Sequence, residues 1–221
     1  MLKYSLLMVV VLILASSCAE VEHYVFAQDS SIEYIEEIVF NEYQNDYIRT
    51  IYVNALLPHY PSIDAMVTGA TDIVRAEVLD KRVRQINTMV SADPTDIDDR
   101  SLIYTVYRIK VLEVFGGDLE SGDILDVGEL GGQLGNINLV NEERLGLNIG
   151  YDLVLFLDYL RIENLPAWPL NHTQAAYRFT PAIETARRTR SFNIELESFD
   201  DRNDLTLTLS ELIAIQLENN L

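Results

Sequence analysis

The stretch from Ser101 to Gly132, SLIYTVYRIKVLEVFGGDLESGDILDVGELGG, constrains the fold of this chain more than any other. It reads as a long strand, a glycine-punctuated turn and a return strand. Strand side chains alternate between two faces. Ile103, Thr105, Tyr107, Ile109, Val111 and Phe115 share one face and are apolar almost throughout, so that face is expected to meet a core. Leu102, Tyr104, Val106, Arg108, Lys110, Leu112 and Val114 share the other, with two cations at its middle and apolar ends. That is the pattern of a half-solvated face on a bent strand. Gly116-Gly117 and Ser121-Gly122 supply the positive φ values that tight turns use. Slipping the register by one residue would bury Arg108 and Lys110. Ile109 and Val111 are therefore expected in the core together with Val154 and Phe156 of a later strand.

Residues 1–17 contain Lys3, an apolar run from Leu6 to Leu14 and then small residues, the layout of a secretory signal peptide. A bilayer span needs about 20 apolar residues, and this run is shorter and gives way to Ser16, Ser17 and Glu20. Leu14-Ala-Ser-Ser-Cys18 resembles a bacterial lipobox, with Ala15 where leucine is usual. Lipidation of Cys18 is expected; ordinary cleavage leaving a free thiol is the alternative. Cys18 is the only cysteine, which excludes a disulfide within the chain, and lipidation would account for a lone thiol in an exported protein.

The formal charge is -19, and removing residues 1–17 takes away one cation and no acid. So acidic a chain is unsuited to the phosphate backbone of nucleic acid or to adhesion on anionic lipid. A covalent anchor would have to hold it at the membrane. Apolar content of 48% is that of a folded protein, and the length suits one domain with appendages.

Residues 19–28 read as a tether or an entry strand. Ser30 and Glu33 stand at capping-box spacing, and Ile32, Ile35, Val39, Tyr43 and Tyr47 recur every three to four residues, predicting a helix over 31–46. Residues 47–57 suit either a strand or a continuation of that helix, and Pro58 and Pro61 end it. Ser62 caps a short helical turn over 63–67. Residues 72–85 predict the first core strand, 89–100 an acidic solvated loop, 131–150 an irregular segment and 151–160 a strand buried on both faces. A loop over 161–173 leads to a short strand over 174–180 and a further one over 192–199. Thr208 and Glu211 form another capping box before a helix over 209–218.

These elements suggest a mainly β (α+β) fold: a small, partly open OB-like β-barrel of about five strands, with an N-terminal helical segment and a C-terminal helix. The order ATDIVRAEVL, YTVYRIKVLEVFGGDLESGDILDVGELGG, NIGYDLVLFLDYL and TQAAYRF resembles uncharacterised lipoproteins and secreted proteins of Gram-positive bacteria. More distantly it resembles OB-like barrels of the metalloproteinase-inhibitor and netrin type. The resemblance covers about 62–180 and speaks to fold. The inhibitors' cysteine-rich N-terminal wedge is missing, so their mechanism does not carry over. The expected organisation is a signal peptide (1–17), a tether and helical extension (18–61), the barrel (62–180) and a C-terminal extension (181–221).

No G-x-S-x-G elbow, H-E-x-x-H helix or P-loop occurs, and the three histidines, His23, His59 and His172, stand singly. No catalytic set and no cofactor are expected. Asp93, Asp96, Asp98 and Asp99, and separately Asp200, Asp201, Asn203 and Asp204, offer oxygen ligands suited to weak calcium binding, against the plainer reading of solvated acidic loops. The loop 131–135 offers backbone amides to an anion, or is a plain connection. Trp168 and Tyr177 are candidate ligand-binding aromatics, although burial of large aromatics favours reading Trp168 as the cover of the barrel end. The functional expectation is a cell-envelope lipoprotein anchored on the extracytoplasmic side, a non-enzymatic module that binds a protein, peptide or glycan and no nucleic acid. The alternative is a secreted hydrolase or metal-dependent enzyme assembled from distant groups such as His172, Asp93 and Glu129.

Overall fold

In a computed structural model, which describes residues 23–27, 32–41, 46–55, 57–87, 101–162 and 165–219, the chain is mostly strand. In order it forms β1 (His23–Ala27), β2 (Ile32–Asn41), β3 (Asp46–Ala55), α1 (Ile63–Gly69), β4 (Asp72–Asn87), β5 (Ser101–Gly116) and β6 (Ile124–Leu130). There follow β7 (Gly132–Leu134), β8 (Ile137–Asn141), β9 (Asp152–Asp158), β10 (Trp168–Pro169), β11 (Ala176–Arg178), α2 (Pro181–Arg188), β12 (Glu197–Ser198) and α3 (Leu209–Asn219). The smaller sheet has the order β1-β2-β3-β8-β7, and the larger the order β12-β11-β9-β4-β5-β6 with β10 paired to β9. Neither sheet closes, so the fold is a β-rich α+β arrangement of two open sheets. Among the described residues no helix is long and apolar enough to cross a membrane.

The β4–β5 pair is the spine of the larger sheet, and its apolar face stays in phase by means of irregularities. Val78 lies opposite Ile109 and Asp80 opposite Arg108, which leaves Leu79 unpaired. The extra residue of such a bulge shifts inward positions by one. Ala76 and Val78 face inward before it and Val83 after it, opposite Val111, Ile109 and Thr105 respectively. The return strand pairs Ile109 with Leu125 and Tyr107 with Val127, and Gly117 (φ 96°) and Gly122 (φ 100°) turn the chain between them.

Alternation divides the core between the two faces of this sheet. On one face Val74, Ala76, Val78, Ile109 and Val111 pack with Leu153, Leu155 and Leu157 under Leu145 and Leu147 of the 142–151 connection. On the other, Ile73, Phe115, Val154, Phe156 and Tyr177 meet Ile183 of α2 and Leu212 and Ile215 of α3. Ile109 and Val111 are thus buried and Arg108 and Lys110 exposed, as parity requires, but Val154 and Phe156 do not join them. The strand β9 runs centrally with Ala76 opposite Leu153 and Arg75 opposite Val154, so its neighbouring residues serve opposite cores. A third cluster, Val53 and Leu139 with Ile86, Ile103, Val106 and Leu130, joins the smaller sheet to the far end of β4–β5.

The helix expected over 31–46 is replaced by β2 and the start of β3, paired antiparallel from Ile32–Ala55 to Asn41–Asp46. Three- and four-residue spacings among Ile32, Ile35 and Val39 coexist with a high density of β-branched and aromatic residues, and a strand partner decides between the two. Residues 46–55 supply that partner, and so resolve the second ambiguity as strand. The expected irregular segment over 131–150 contains the β7–β8 hairpin. It begins where Gly131 (φ 115°) and Gly132 (φ 135°) carry the chain from the larger sheet to the smaller, and a Cβ at Gly132 would lie 2.9 Å from Val83 Cγ1 and Thr105 Oγ1. The helix α2 was not expected, although Pro181 at its first turn and the i, i+3 pair Ile183–Ala186 signal it.

Both predicted caps that lie in described residues form. Ser62 Oγ accepts from Ala65 N at 3.1 Å. Thr208 Oγ1 accepts from Glu211 N at 3.2 Å while Glu211 Oε2 accepts from Thr208 N at 2.8 Å. Replacing Thr208 by Ala is expected to lower the stability of the chain by about 1 kcal/mol, read as a shifted urea midpoint at constant slope. An unchanged midpoint would mean that α3 is held by packing alone.

Candidate functional site

Of the residues singled out from sequence, several are structural. Tyr177 is fully buried between Phe156 and the α3 side of the core, with its hydroxyl 3.5 Å from the Leu205 carbonyl, so it cannot touch a ligand. Its burial pushes the phenol up to about 12. Glu129 is fully enclosed, and both carboxylate oxygens are occupied: Leu145 N donates at 2.6 Å and Gly146 N at 3.1 Å. Desolvation raises its pKa despite those donors. Tyr107 lies close enough for the Glu129 charge to add to the upward shift that burial causes, but its hydroxyl is not aligned for a hydrogen bond of normal geometry. Glu129 thus pins the 142–147 connection across the Ile109–Val111 face.

His172 is buried, and desolvation lowers its pKa to about 4, so it is neutral at physiological pH. Among the described residues no hydrogen bond or ion pair joins His172 to Glu129, and Asp93 lies outside the described residues. Of the second acidic cluster, Asp200 is held by Arg202, Asn203 accepts from Leu205 N, and Asp204 faces Gln174 and His59. Among the described residues no group of three His, Cys, Asp or Glu could hold a metal ion. Asp93, Asp96, Asp98 and Asp99, together with Cys18 and the leader, lie outside the described residues. Within 131–135, Gly131 N donates to the Ile103 carbonyl and residues 132–134 form β7 of the hairpin with β8.

The solvent side of the β4-β5-β6 meander carries the arrangement with chemical potential. On alternate positions this face carries the exposed or half-exposed Arg82 and Arg84 of β4, Arg108 of β5 and Asp126 of β6, while Tyr104, Val106, Gly128 and Leu130 on the same face are buried beneath the third cluster and the segment around Trp168. Three guanidinium groups converge on the Asp126 carboxylate: Arg82 Nη2 makes the closest pair, and Arg84 Nη2 and Arg108 Nε each stand 3.4 Å away. Asp126 is the inner member, 19% exposed against 36–45% for the arginines. Arg84 Nε is enclosed without a hydrogen-bond partner. In a chain with 16 Lys and Arg against 35 Asp and Glu, three cations around one acid are a local reversal of sign.

A cleft of about 320 Å³ opens beside this cluster, lined by Arg84, Arg108, Asp126, Ile124, Tyr159 and Leu165. Leu165 belongs to the segment around Trp168, which docks on the edge of β6: Gly128 N donates to the Ala167 carbonyl and Ala167 N to the Asp126 carbonyl, both at 2.8 Å. The docking requires glycine at 128, since a Cβ there would lie 2.5 Å from Trp168 Cζ3 and 2.7 Å from Pro166 Cγ. Trp168 is half-buried with its ring centroid 5.0 Å from that of Tyr104, so it covers the sheet, and Leu165 of the same segment lines the cleft. Tyr159 is positioned by its backbone N–H, which donates to Thr71 Oγ1 at 2.7 Å, and its ring is backed by the Arg161 guanidinium at 5.3 Å.

Sequence reasoning placed Arg108 on a solvated face but missed its assembly with Arg82, Arg84 and Asp126. The available signal was parity: Arg82-x-Arg84 on one strand, Arg108 on the next, and an acid on the return strand at the position opposite Arg108. Compared with known proteins, the chain matches no family model, no curated protein and no solved structure.

Proposed function

We propose that this chain is a lipid-anchored module on the extracytoplasmic side of the cell envelope, non-enzymatic, which binds the acidic group of an extracellular partner in the arginine cleft. The convergence of Arg82, Arg84 and Arg108 on one carboxylate beside Trp168 carries this reading. Cationic groups held by a sheet are pre-positioned for an anion, whereas the buried Glu129 and the neutral His172 are each spent on structure. The leader, the lipobox-like Leu14–Cys18 stretch and the single cysteine support the anchor, as does the resemblance to Gram-positive lipoproteins. The OB-like part of the reading is supported by strand order: β6, β5, β4, β9 and β11 form the series such a barrel would have if left open between β6 and β11.

The anchor is tested by Cys18→Ala. The substituted chain is expected in the medium, or retained as an unprocessed precursor of higher mass, while the parent stays with membranes and gains the mass of a lipid. Equal membrane retention with no lipid mass on either protein would remove the anchor from the proposal.

A further inference from the structure

We infer that the cleft takes the C-terminal end of an extended peptide, which adds as a strand to the open edge of β6 and brings its terminal carboxylate to Arg108. This deepens the binding-module reading and rests on it. Backbone pairing sets the first limit. Ala167 N donates to the Asp126 carbonyl and Gly128 N to the Ala167 carbonyl, so Ile124, Asp126 and Gly128 turn their peptide groups away from β5. Val127 and Ala167 pair in parallel, and one step back a continued ladder would join Leu165 N to the Ile124 carbonyl and Asp126 N to the Leu165 carbonyl. It stops short: Leu165 N donates instead to the Ile162 carbonyl at 3.1 Å. Among the described residues, Ile124 N–H, the Ile124 carbonyl and Asp126 N–H are left without a backbone partner. The cleft lies along this gap, lined by Ile124, Leu125 and Asp126 of the strand and by Tyr159 and Leu165.

Direction sets the second. The three open groups are those a parallel strand uses. An incoming residue opposite Leu125 donates its N–H to the Ile124 carbonyl and accepts from Asp126 N–H, and the carbonyl two residues earlier accepts from Ile124 N–H. An antiparallel strand reaching Asp126 would also need the Asp126 carbonyl, which Ala167 N already holds. A parallel strand cannot run past this point, because Ala167 occupies the next place on the ladder. A chain that ends there ends on a carboxylate. Ile124 to Asp126 spans about 7 Å, which suits roughly the last three residues of a peptide. A sugar chain has no such alternation of N–H and carbonyl groups to offer the edge.

Charge sets the third. The charged groups lining the cleft are Arg84 and Arg108 against Asp126, and a single carboxylate balances that excess. Arg108 is the cation positioned to receive it. It meets Asp126 only through Nε, at 3.4 Å, and its two terminal nitrogens have no protein partner among the described residues. Asp80, opposite Arg108 on the β4–β5 ladder, gives Oδ1 to Lys81 N at 2.8 Å, and no ion pair joins it to Arg108. Arg84 is more committed, with Nε enclosed and Nη2 beside Asp126. Leu125 and Tyr159 belong to one apolar cluster, so the last side chain of the peptide, which projects on the Leu125 side, is apolar.

The edge is tested first without a ligand. In the free full-length chain in detergent, the amides of Ile124 and Asp126 are expected to exchange with solvent at least a hundredfold faster than those of Leu125 and Val127, which face β5. Slow exchange at both would mean that the edge is already covered and would overturn the inference. Calorimetry then compares acetyl-Thr-Val-Thr-Val as the free acid, its C-terminal amide, the acid N-methylated at the last Val, and trigalacturonate. The free acid is expected to saturate, to bind at least tenfold tighter than the other three, and to slow exchange at Ile124 and Asp126. Arg108→Gln should lower the acid to the level of the amide with melting unchanged, and Lys110→Gln should alter binding by less than twofold. An amide that binds as tightly as the acid would overturn the terminal carboxylate, and an N-methylated acid that does so would overturn strand addition. Trigalacturonate binding that Arg108→Gln abolishes, with no peptide binding, would overturn the peptide and leave the acid-group cleft standing. No binding by any of the four would overturn both this inference and the cleft as the binding site.

Discussion

Val111→Asp is expected to yield a chain that does not fold at 25 °C. Val111 is fully buried, paired with Ala76, and packed among Ile109, Leu125 and Leu153. Its backbone is equally committed, donating to the Asp123 carbonyl and accepting from Gly122 N, both at 2.8 Å. A carboxylate there would lie among apolar side chains, and an unpaired buried charge costs several kcal/mol, a large part of the 5–15 kcal/mol or so that holds a typical domain. Lys110→Ser, one residue away on the exposed face, should change stability by no more than about 0.5 kcal/mol. Far-UV circular dichroism with thermal melting distinguishes the two. A cooperative transition near the parental temperature for Val111→Asp would show that water reaches this face, and would overturn the assignment of it as core.

Asp72→Ala is expected to be the next most damaging change, about 2–4 kcal/mol by urea unfolding. Asp72 is completely enclosed, and its carboxylate accepts from Thr71 Oγ1 (3.0 Å), Asp118 N (3.1 Å), Leu119 N (3.3 Å) and Arg161 Nη2 (2.9 Å). Most of the expected loss comes from the two amides of the β5–β6 turn, which would be left without an acceptor. Arg161 contributes less, because its side chain is 39% exposed and water can replace the carboxylate. The turn is built around this group: Gly117 passes so close that a Cβ would stand 2.4 Å from Asp72 Oδ1. Asp72→Asn keeps one acceptor oxygen and should recover part of the loss. A change below about 0.5 kcal/mol for Asp72→Ala would mean that the turn forms without its acceptor.

How much of this was legible follows from the range of each interaction. The β5–β6 hairpin, the buried β9 and the caps at Ser62 and Thr208 are specified by residues within a few positions of one another, so alternation and capping spacing reveal them. The β2 strand was misread because its apolar spacing also fits a helix, and the decision lies with β3 and, beyond it, with β8 some ninety residues on. Val154 and Phe156 were assigned to the wrong core because a central strand feeds both faces, and hydrophobicity alone does not say which residue feeds which. The buried Asp72 meets its partner Arg161 across eighty-nine positions, and no local pattern announces that contact. The arginine cluster is intermediate: parity puts Arg82, Arg84 and Arg108 on one face, but only the β5–β6 register brings Asp126 among them.

The parallel pairing of β3 with β8 has a bearing on how the chain is made. Residues 46–55 leave the ribosome long before residues 137–141, and until the latter appear β3 has only β2 beside it, with its other edge unpaired. The β4–β5–β6 meander needs only neighbours in sequence and can assemble first, whereas the smaller sheet waits for Gly131 and Gly132 to swing the chain across. Closing so long a loop makes this the slow step of maturation. For as long as it lasts, β1–β3 form a ribbon with a bare edge, able to pair with another nascent copy. That edge is open during synthesis between the emergence of residue 55 and that of residue 141.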